Sequence, residues 1–308
     1  MQKQSPVRDN VVSSSVYAKL VTCAGVASTV VAAILIIGKL LVLLLTQSST
    51  ILASLTDSLM DIIASIVNLV AIRYAIVPAD EEHRFGHWKA ESLAGLAQCA
   101  FIAGSAIFLL FHGFVRLFNP VELVHLDTGI YVTVFAIILT AGLYCFQTYV
   151  ISKTSSQAIM ADRLHYSTDV LFNIGVLISL GLSYYGFLYA DGACAVLLSV
   201  YILYGAIGIG KSAISVLLDK QLPVEDVLNI CKLLSSVENV QGVHDLRTRR
   251  SGPKIFILAH LEIDQNMPLI SAHHVADLAE NAVLEQYENA DITLHMEPVI
   301  VYKNSIEG

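Results

Sequence analysis

The segment LTDSLMDIIAS places Asp57 and Asp61 four residues apart in an otherwise apolar run. On a helix that spacing turns both carboxylates to one face. A second pair, His165 and Asp169 in RLHYSTDVLFN, has the same spacing. One charge at mid-bilayer costs about 2.5–3.5 kcal/mol on insertion scales, so a chain that carries four such groups in apolar surroundings uses them. If the two helices face each other, three carboxylates and one imidazole converge, and the like charges repel. A divalent cation removes the conflict. One nitrogen and three oxygens at about 2.0–2.2 Å make a closed tetrahedral shell, which suits Zn²⁺. Binding needs a neutral imidazole and ionised carboxylates, so it expels protons. A site that trades metal for protons is the chemical core of an antiporter. A shell with no open position also weighs against hydrolysis. Ser65 and Asn68 continue the Asp57/Asp61 face, and Asn173 follows His165 and Asp169; that polar stripe predicts a hydrated path. The bland alternative is an intramembrane aspartate that only hydrogen-bonds a neighbouring helix. Two matched pairs on separate helices weigh against it.

These groups must be positioned by membrane helices. The 308 residues are 55% hydrophobic and only 14% charged, against roughly 25% charged in soluble domains. Residues 1–210 hold 10 Lys/Arg and 12 Asp/Glu, whereas the shorter stretch 211–308 holds 8 and 14. An apolar part is thus followed by a polar, acidic one, and nothing is basic enough for nucleic acid. Five runs free of Asp, Glu, Lys and Arg approach or exceed the roughly 20 residues a span needs: Leu20–Gly38, Ser92–Val115, Thr128–Ser152, Val170–Ala190 and Gly192–Gly210. Ile51–Tyr74, interrupted by Asp57, Asp61 and Arg73, makes a sixth span. The fifth helix is expected to start near Ala161, which brings His165 and Asp169 into it. Basic residues cluster at the N-terminus (Lys3, Arg8, Lys19) and in two connections (Arg73, Arg84, Lys89; Lys153, Arg163). The positive-inside rule then puts both termini in the cytoplasm. Lys39 is read as snorkelling from the outer half of the first span. The first twenty residues lack the apolar core of a cleavable signal peptide. The five scattered cysteines form no CxxC pair and predict neither a disulfide framework nor a thiolate metal site.

The tail reads as α-β-β-α-β: helix Pro223–Ser236, strands Val240–Arg249 and Lys254–Ile263, helix Leu269–Tyr287 and strand Ala290–Tyr302. The fold class is therefore an α-helical polytopic membrane protein of six transmembrane helices with a C-terminal cytoplasmic α+β domain. Expected boundaries are an N-terminal tail at 1–16, a transport domain at 17–212 and a tail domain at 213–308. On strands, His260/Glu262 and His295/Glu297 are i, i+2 pairs that face one way. Residues 205–212, GAIGIGKS, match the phosphate-loop pattern. That loop requires a strand before it and free backbone amides. Here it ends an apolar helix, so its glycines are read as helix packing, Lys211 as a cytoplasmic anchor, and no nucleotide is expected.

TDSLMD, HYSTD and VPADEEHRFGHWKAE together strongly resemble the cation diffusion facilitator family, over essentially the whole chain. The resemblance implies a proton-coupled zinc exporter of the bacterial inner membrane, with Fe²⁺ and Cd²⁺ as further candidate ions. It implies a homodimer working by alternating access, with no organic cofactor. The transport site would be Asp57, Asp61, His165 and Asp169. A loop site would use Asp80, His83 and His87, whose D-x-x-H-x-x-x-H spacing independently allows three ligands on a short loop. A two-metal site in the tail, metallochaperone-like in fold, would use His244, His260, His273, His295 and Glu297 at a dimer interface. Where this chain has Glu297 the family pattern has Asp, one methylene shorter. His112 and His125 match no motif and are read as structural or interfacial. The resemblance further implies an ion pair of Lys89 with Asp219 and an apolar gate at Leu164. An intramembrane aspartyl protease is the enzymatic rival, with Asp57 and Asp169 as its dyad. His165 and the third carboxylate fit metal better. A metal receptor that does not transport is a second rival, but it needs only the tail.

Overall fold

The computed structural model describes residues 12–46, 49–118, 129–184 and 189–299. The side chains of Asp57 and Asn173 lie outside the described residues, as do His125 and the expected strand end at 300–302.

Six long helices come first: α1 (Ser14–Thr46), α2 (Ser49–Ala75), α3 (Lys89–Phe118), α4 (Gly129–Thr154), α5 (Gln157–Tyr184) and α6 (Ala190–Leu217). Stretches of four, Ser14–Leu41, Lys89–Phe118, Val134–Thr154 and Gly192–Leu217, are long and apolar enough to cross a membrane. Large apolar side chains point outward: Leu197 is 71% exposed and Phe108 67%. Hydrocarbon, not water, suits such a surface. The interior is correspondingly thin. Ile102 and Ala106 of α3 pack on Ile202 and Ala206 of α6, with Leu164 of α5 against them.

α5 starts four residues before the expected Ala161, at Gln157. Ser155 takes a left-handed conformation (φ 52°), and the Ser156 hydroxyl accepts from the Ile159 amide at 3.2 Å. This is an N-cap, which satisfies one of the free amides that open a helix. α6 runs unbroken through GAIGIGKS to Leu217, past the expected boundary at 212. A side chain at Gly205 would stand 3.0 Å from Leu164 Cδ1, whereas one at Gly208 would meet nothing within 4 Å among the described residues. Gly205 is thus a packing glycine and Gly208 is not.

The chain divides into two compact units, one of Ala18–Leu217, the other of the chain from Leu218 joined by the residues up to Tyr17. In the second unit α7 (Val224–Ser235), β1 (Gly242–Ser251), β2 (Lys254–Asp264), α8 (Leu269–Leu284) and β3 (Ala290–Val299) follow in the expected order. The sheet order is β1-β2-β3. β1 and β2 form an antiparallel hairpin. β3 lies parallel to β2, which requires a long crossover, here α8. Along β2, Ile255, Ile257, Ala259, Leu261 and Ile263 are buried, with Ile230 and Leu234 of α7 and Ala279 and Val283 of α8 completing the core. Strand alternation therefore sends His260 and Glu262 to the opposite face.

Candidate metal centres

In the helical unit, α2 and α5 carry the first centre. His165 Nε2 lies 3.1 Å from Asp61 Oδ1 and 3.9 Å from Asp169 Oδ2. One ligand atom from each residue falls within 4.8 Å of the others. His165 is buried at 9% exposure. Its Nε2 has no hydrogen-bond partner among the described residues, despite the nearby carboxylate. A buried nitrogen between two carboxylates, 3.1 Å from the nearer, is placed where one cation could be shared by all three groups. Asp57 belongs to α2, one turn before Asp61; its side chain is outside the described residues, so its part in the shell stays a proposal. Ser65 and Asn68 of the expected polar stripe lie inside the bundle. Both are buried, and the Ser65 hydroxyl is bonded to the Tyr166 phenol at 2.9 Å.

The connection between α2 and α3 builds the second centre. Asp80 Oδ1 accepts from the backbone amides of His83 at 2.6 Å and Glu82 at 3.0 Å. These bonds, the His83 amide foremost, hold the carboxyl below its ordinary pKa. Its oxygens then meet two imidazoles: His87 Nε2 at 3.2 Å and His83 Nδ1 at 3.5 Å. His87 is buried, edge-on to the Tyr74 ring. Its Nδ1 faces the Val77 carbonyl at 3.4 Å. A carbonyl can only accept, so Nδ1 donates to it; this bond orients the ring and leaves Nε2 as the nitrogen turned toward Asp80. Gly86, at φ 80°, supplies the left-handed turn that brings His83 and His87 together.

Sheet register builds the third centre. His244 pairs with His260 across β1/β2, and His260 with His295 across β2/β3. Three imidazoles thus stand in one row. The next row holds Gly242, Glu262 and Glu297. A side chain at Gly242 would collide with the Glu262 carboxylate, so the row leaves room for acid. Glu297 Oε2 reaches His244 Nε2 at 3.1 Å, while Oε1 reaches His260 Nδ1 at 2.8 Å and His295 Nε2 at 3.7 Å. The longer glutamate therefore still spans all three. The hydrogen bond with His260 leads the influences that hold its carboxyl below the ordinary range.

Glu262 joins this centre as its i, i+2 pairing with His260 suggests, and Asp245, paired with Arg247 at 2.8 Å, borders it beyond the sequence expectation. Glu262 Oε1 is 3.6 Å from His244 Nε2 and Asp245 Oδ2 is 3.9 Å from His260 Nε2. Plain alternation would turn Asp245 away from its neighbour His244. A β-bulge between His244 and Arg247, with Asp245 at φ 48°, re-aims it. No residue type in HDLR announces that bulge.

His273 and His112 stand apart from these clusters among the described residues. His273 lies on α8, which packs on the opposite face of the sheet, so it cannot join the row within one chain. Its near carboxylate is Asp277, at 3.7 Å. Lys89 donates to the Leu217 carbonyl at 3.3 Å, and Asp219 accepts from Arg249 at 3.3 Å. Each is described within its own unit. Leu164 packs on the α3/α6 contact. His112 stacks on Phe108, their ring centroids 4.3 Å apart, and ligates nothing in these centres.

Apolar helices that carry an acid–imidazole cluster, followed by an α+β unit with a histidine–carboxylate face, have the features of a multi-pass membrane protein with places for metal cations. Residues 25–218 match the cation efflux transmembrane domain and residues 222–299 the cation efflux protein cytoplasmic domain. The chain belongs to the cation diffusion facilitator family of cation efflux transporters. It is 47% identical to the cation-efflux pump FieF of Serratia proteamaculans over 292 residues, 95% of this chain and 97% of that one. It is 46% identical to the FieF of Citrobacter koseri, over 92% of this chain and 95% of that one. The metal-bound C-terminal domain of the CzcD transporter from Thermotoga maritima is 28% identical, covering 26% of this chain and 94% of that one, at a TM-score of 0.24.

Proposed function

We propose that the chain exports Zn²⁺ from the bacterial cytoplasm in exchange for protons. All six helices cross the inner membrane and both termini face the cytoplasm. The observation that carries this reading is the buried meeting of His165 with Asp61 and Asp169 from two helices. Asp57, one helical turn from Asp61, completes the shell. In an inward-open state the four groups take the ion from the cytoplasm. In an outward-open state protons compete for the same nitrogen and oxygens, and the ion leaves. Leu164, one residue before His165 and packed against α3 and α6, closes the path between the two states.

The mixed nitrogen–oxygen donor set supports Zn²⁺, with Fe²⁺ and Cd²⁺ as secondary substrates, over purely oxygen-seeking ions. The chain works as a homodimer, with Lys89 and Asp219 forming an ion pair near its axis. The second copy brings His273 to the His244/His260/His295/Glu297 face, which one chain alone cannot do. Asp80, His83 and His87 form a separate cytoplasmic site, and both sites respond to metal supply. The test is competition: purified protein in vesicles with an imposed pH gradient, offered Zn²⁺ with Fe²⁺, Cd²⁺ or Mn²⁺ in excess. Zn²⁺ flux should persist against Mn²⁺ and dissipate the gradient. Equal inhibition by Mn²⁺ contradicts the metal assignment, and flux without proton movement contradicts the exchange.

A further inference from the structure

One fully buried carboxylate plays no part in any of the three centres. Asp162, on α5, is 0% exposed. Its Oδ2 accepts from Ser28 Oγ of α1 at 2.6 Å and from Gln147 Nε2 of α4 at 2.6 Å. Its Oδ1 accepts from Gln98 Nε2 of α3 at 3.2 Å. Three neighbouring helices therefore each give this carboxylate one donor. Such fully satisfied buried networks rigidify their surroundings.

The network continues to α2. Each hydroxyl has one proton, which orders the bonds. Ser28 spends its own on Asp162. Tyr166, one turn beyond Asp162, then donates to the Ser28 carbonyl at 3.1 Å. Ser65 of α2 gives its proton to the Tyr166 oxygen at 2.9 Å. The node thus links five helices through Ser28, Ser65, Gln98, Gln147, Asp162 and Tyr166.

Its place relative to the transport site gives it meaning. On α5, Asp162 and Tyr166 flank His165. On α2, Ser65 lies one turn from Asp61. The same two helices that meet at the metal centre are therefore held together one turn away, by Ser65 on Tyr166. We propose that Asp162 is a positioning residue: it anchors α5 to α1, α3 and α4, and through Tyr166 and Ser65 sets His165 at the distance from Asp61 that a divalent cation requires. Sites of this kind hold their ligands only as well as the surrounding shell is fixed. This inference rests on the transport-site reading above.

The test is Zn²⁺ flux in proteoliposomes of the full chain, read as KM and maximal rate. Loss of a supporting partner commonly costs roughly 10–100-fold in metal affinity. Asp162→Asn keeps the volume but turns an amide toward amide donors, so its KM should rise by about that factor in protein that keeps the wild-type elution volume. Gln147→Glu in the Asp162→Asn background moves the carboxylate to α4, and KM should return toward the wild-type value. A purely packing role predicts no such recovery. If Asp162→Asn does not fold, Tyr166→Phe, which removes one hydroxyl, carries the test and should also raise KM. A wild-type KM in folded Asp162→Asn or in Tyr166→Phe overturns the proposal, as does failure of the double variant to recover. Absence of saturable flux in the wild-type protein would instead strike the transport reading itself.

Discussion

Glu297 shows at the residue scale how local contacts decide a ligand. Family resemblance predicts a shorter aspartate at this position, yet the glutamate reaches His244, His260 and His295. Its carboxyl is held below the ordinary range, chiefly by the bond with His260. A carboxyl so depressed stabilises the fold fully above its unfolded pKa of about 4.3, and that stability is lost as pH falls through the lower folded value. Metal-free protein should therefore lose stability on acidification below about pH 4, and Glu297→Gln should flatten that dependence in thermal melts at stepped pH. An unchanged slope in the variant would contradict the role given to this side chain. At the loop, His87→Ala removes the one ligand held by packing. The chelated and Zn²⁺-loaded forms of that variant should differ less in protease resistance of the loop than those of the wild type. The ligand types and spacings of all three centres were legible in the sequence. Asp245 was not, because its direction depends on a bulge, and bulges leave no periodic trace. Asp162 is not legible either: an isolated acid beside Arg163 at a helix start carries no motif, and only the fold reveals the three donors around it.

Helix contacts carry the next level. α3 and α6 approach closely where small residues face each other. A side chain at Gly113 would stand 3.0 Å from the Val196 backbone nitrogen, and one at Gly192 would stand 2.7 Å from that of Leu117. Backbone cannot step aside as a flexible side chain can. Gly113→Ala should destabilise the protein by about 1–3 kcal/mol, the usual cost of overpacking, seen as a lower melting temperature in detergent. Gly104→Ala is the control on the same helix, with nothing within 4 Å. It should be neutral or gain up to about 1 kcal/mol from helix propensity. Equal destabilisation by both would refute close packing as the reason for Gly113. The helices themselves were legible, since length and apolarity define them. Their ends were less so: α5 begins at Gln157 because Ser156 caps it, a signal hidden among several serines and threonines. In the tail the element order followed from periodicity. The parallel pairing of β3 with β2 did not, because pairing partners are set by the whole sheet. That pairing puts His260 beside His295 and Glu262 beside Glu297, and so builds the third centre.

For the whole molecule, the apolar bundle gathers Asp61, His165 and Asp169 from two helices where one cation could meet all three. The polar unit collects His244, His260 and His295 on a sheet face that its own helices leave uncovered. Both features match a cation efflux transporter with clusters that could hold metal in two environments. The central claim is that one cluster in the bundle exchanges a metal ion for protons. The direct measurement is simultaneous Zn²⁺ flux and internal pH in proteoliposomes carrying the wild type or Asp61→Ala. The account predicts coupled Zn²⁺ and proton movement in the wild type. It predicts neither above background in the variant, with its melting temperature and elution volume preserved. Undiminished coupled exchange by folded Asp61→Ala would contradict it.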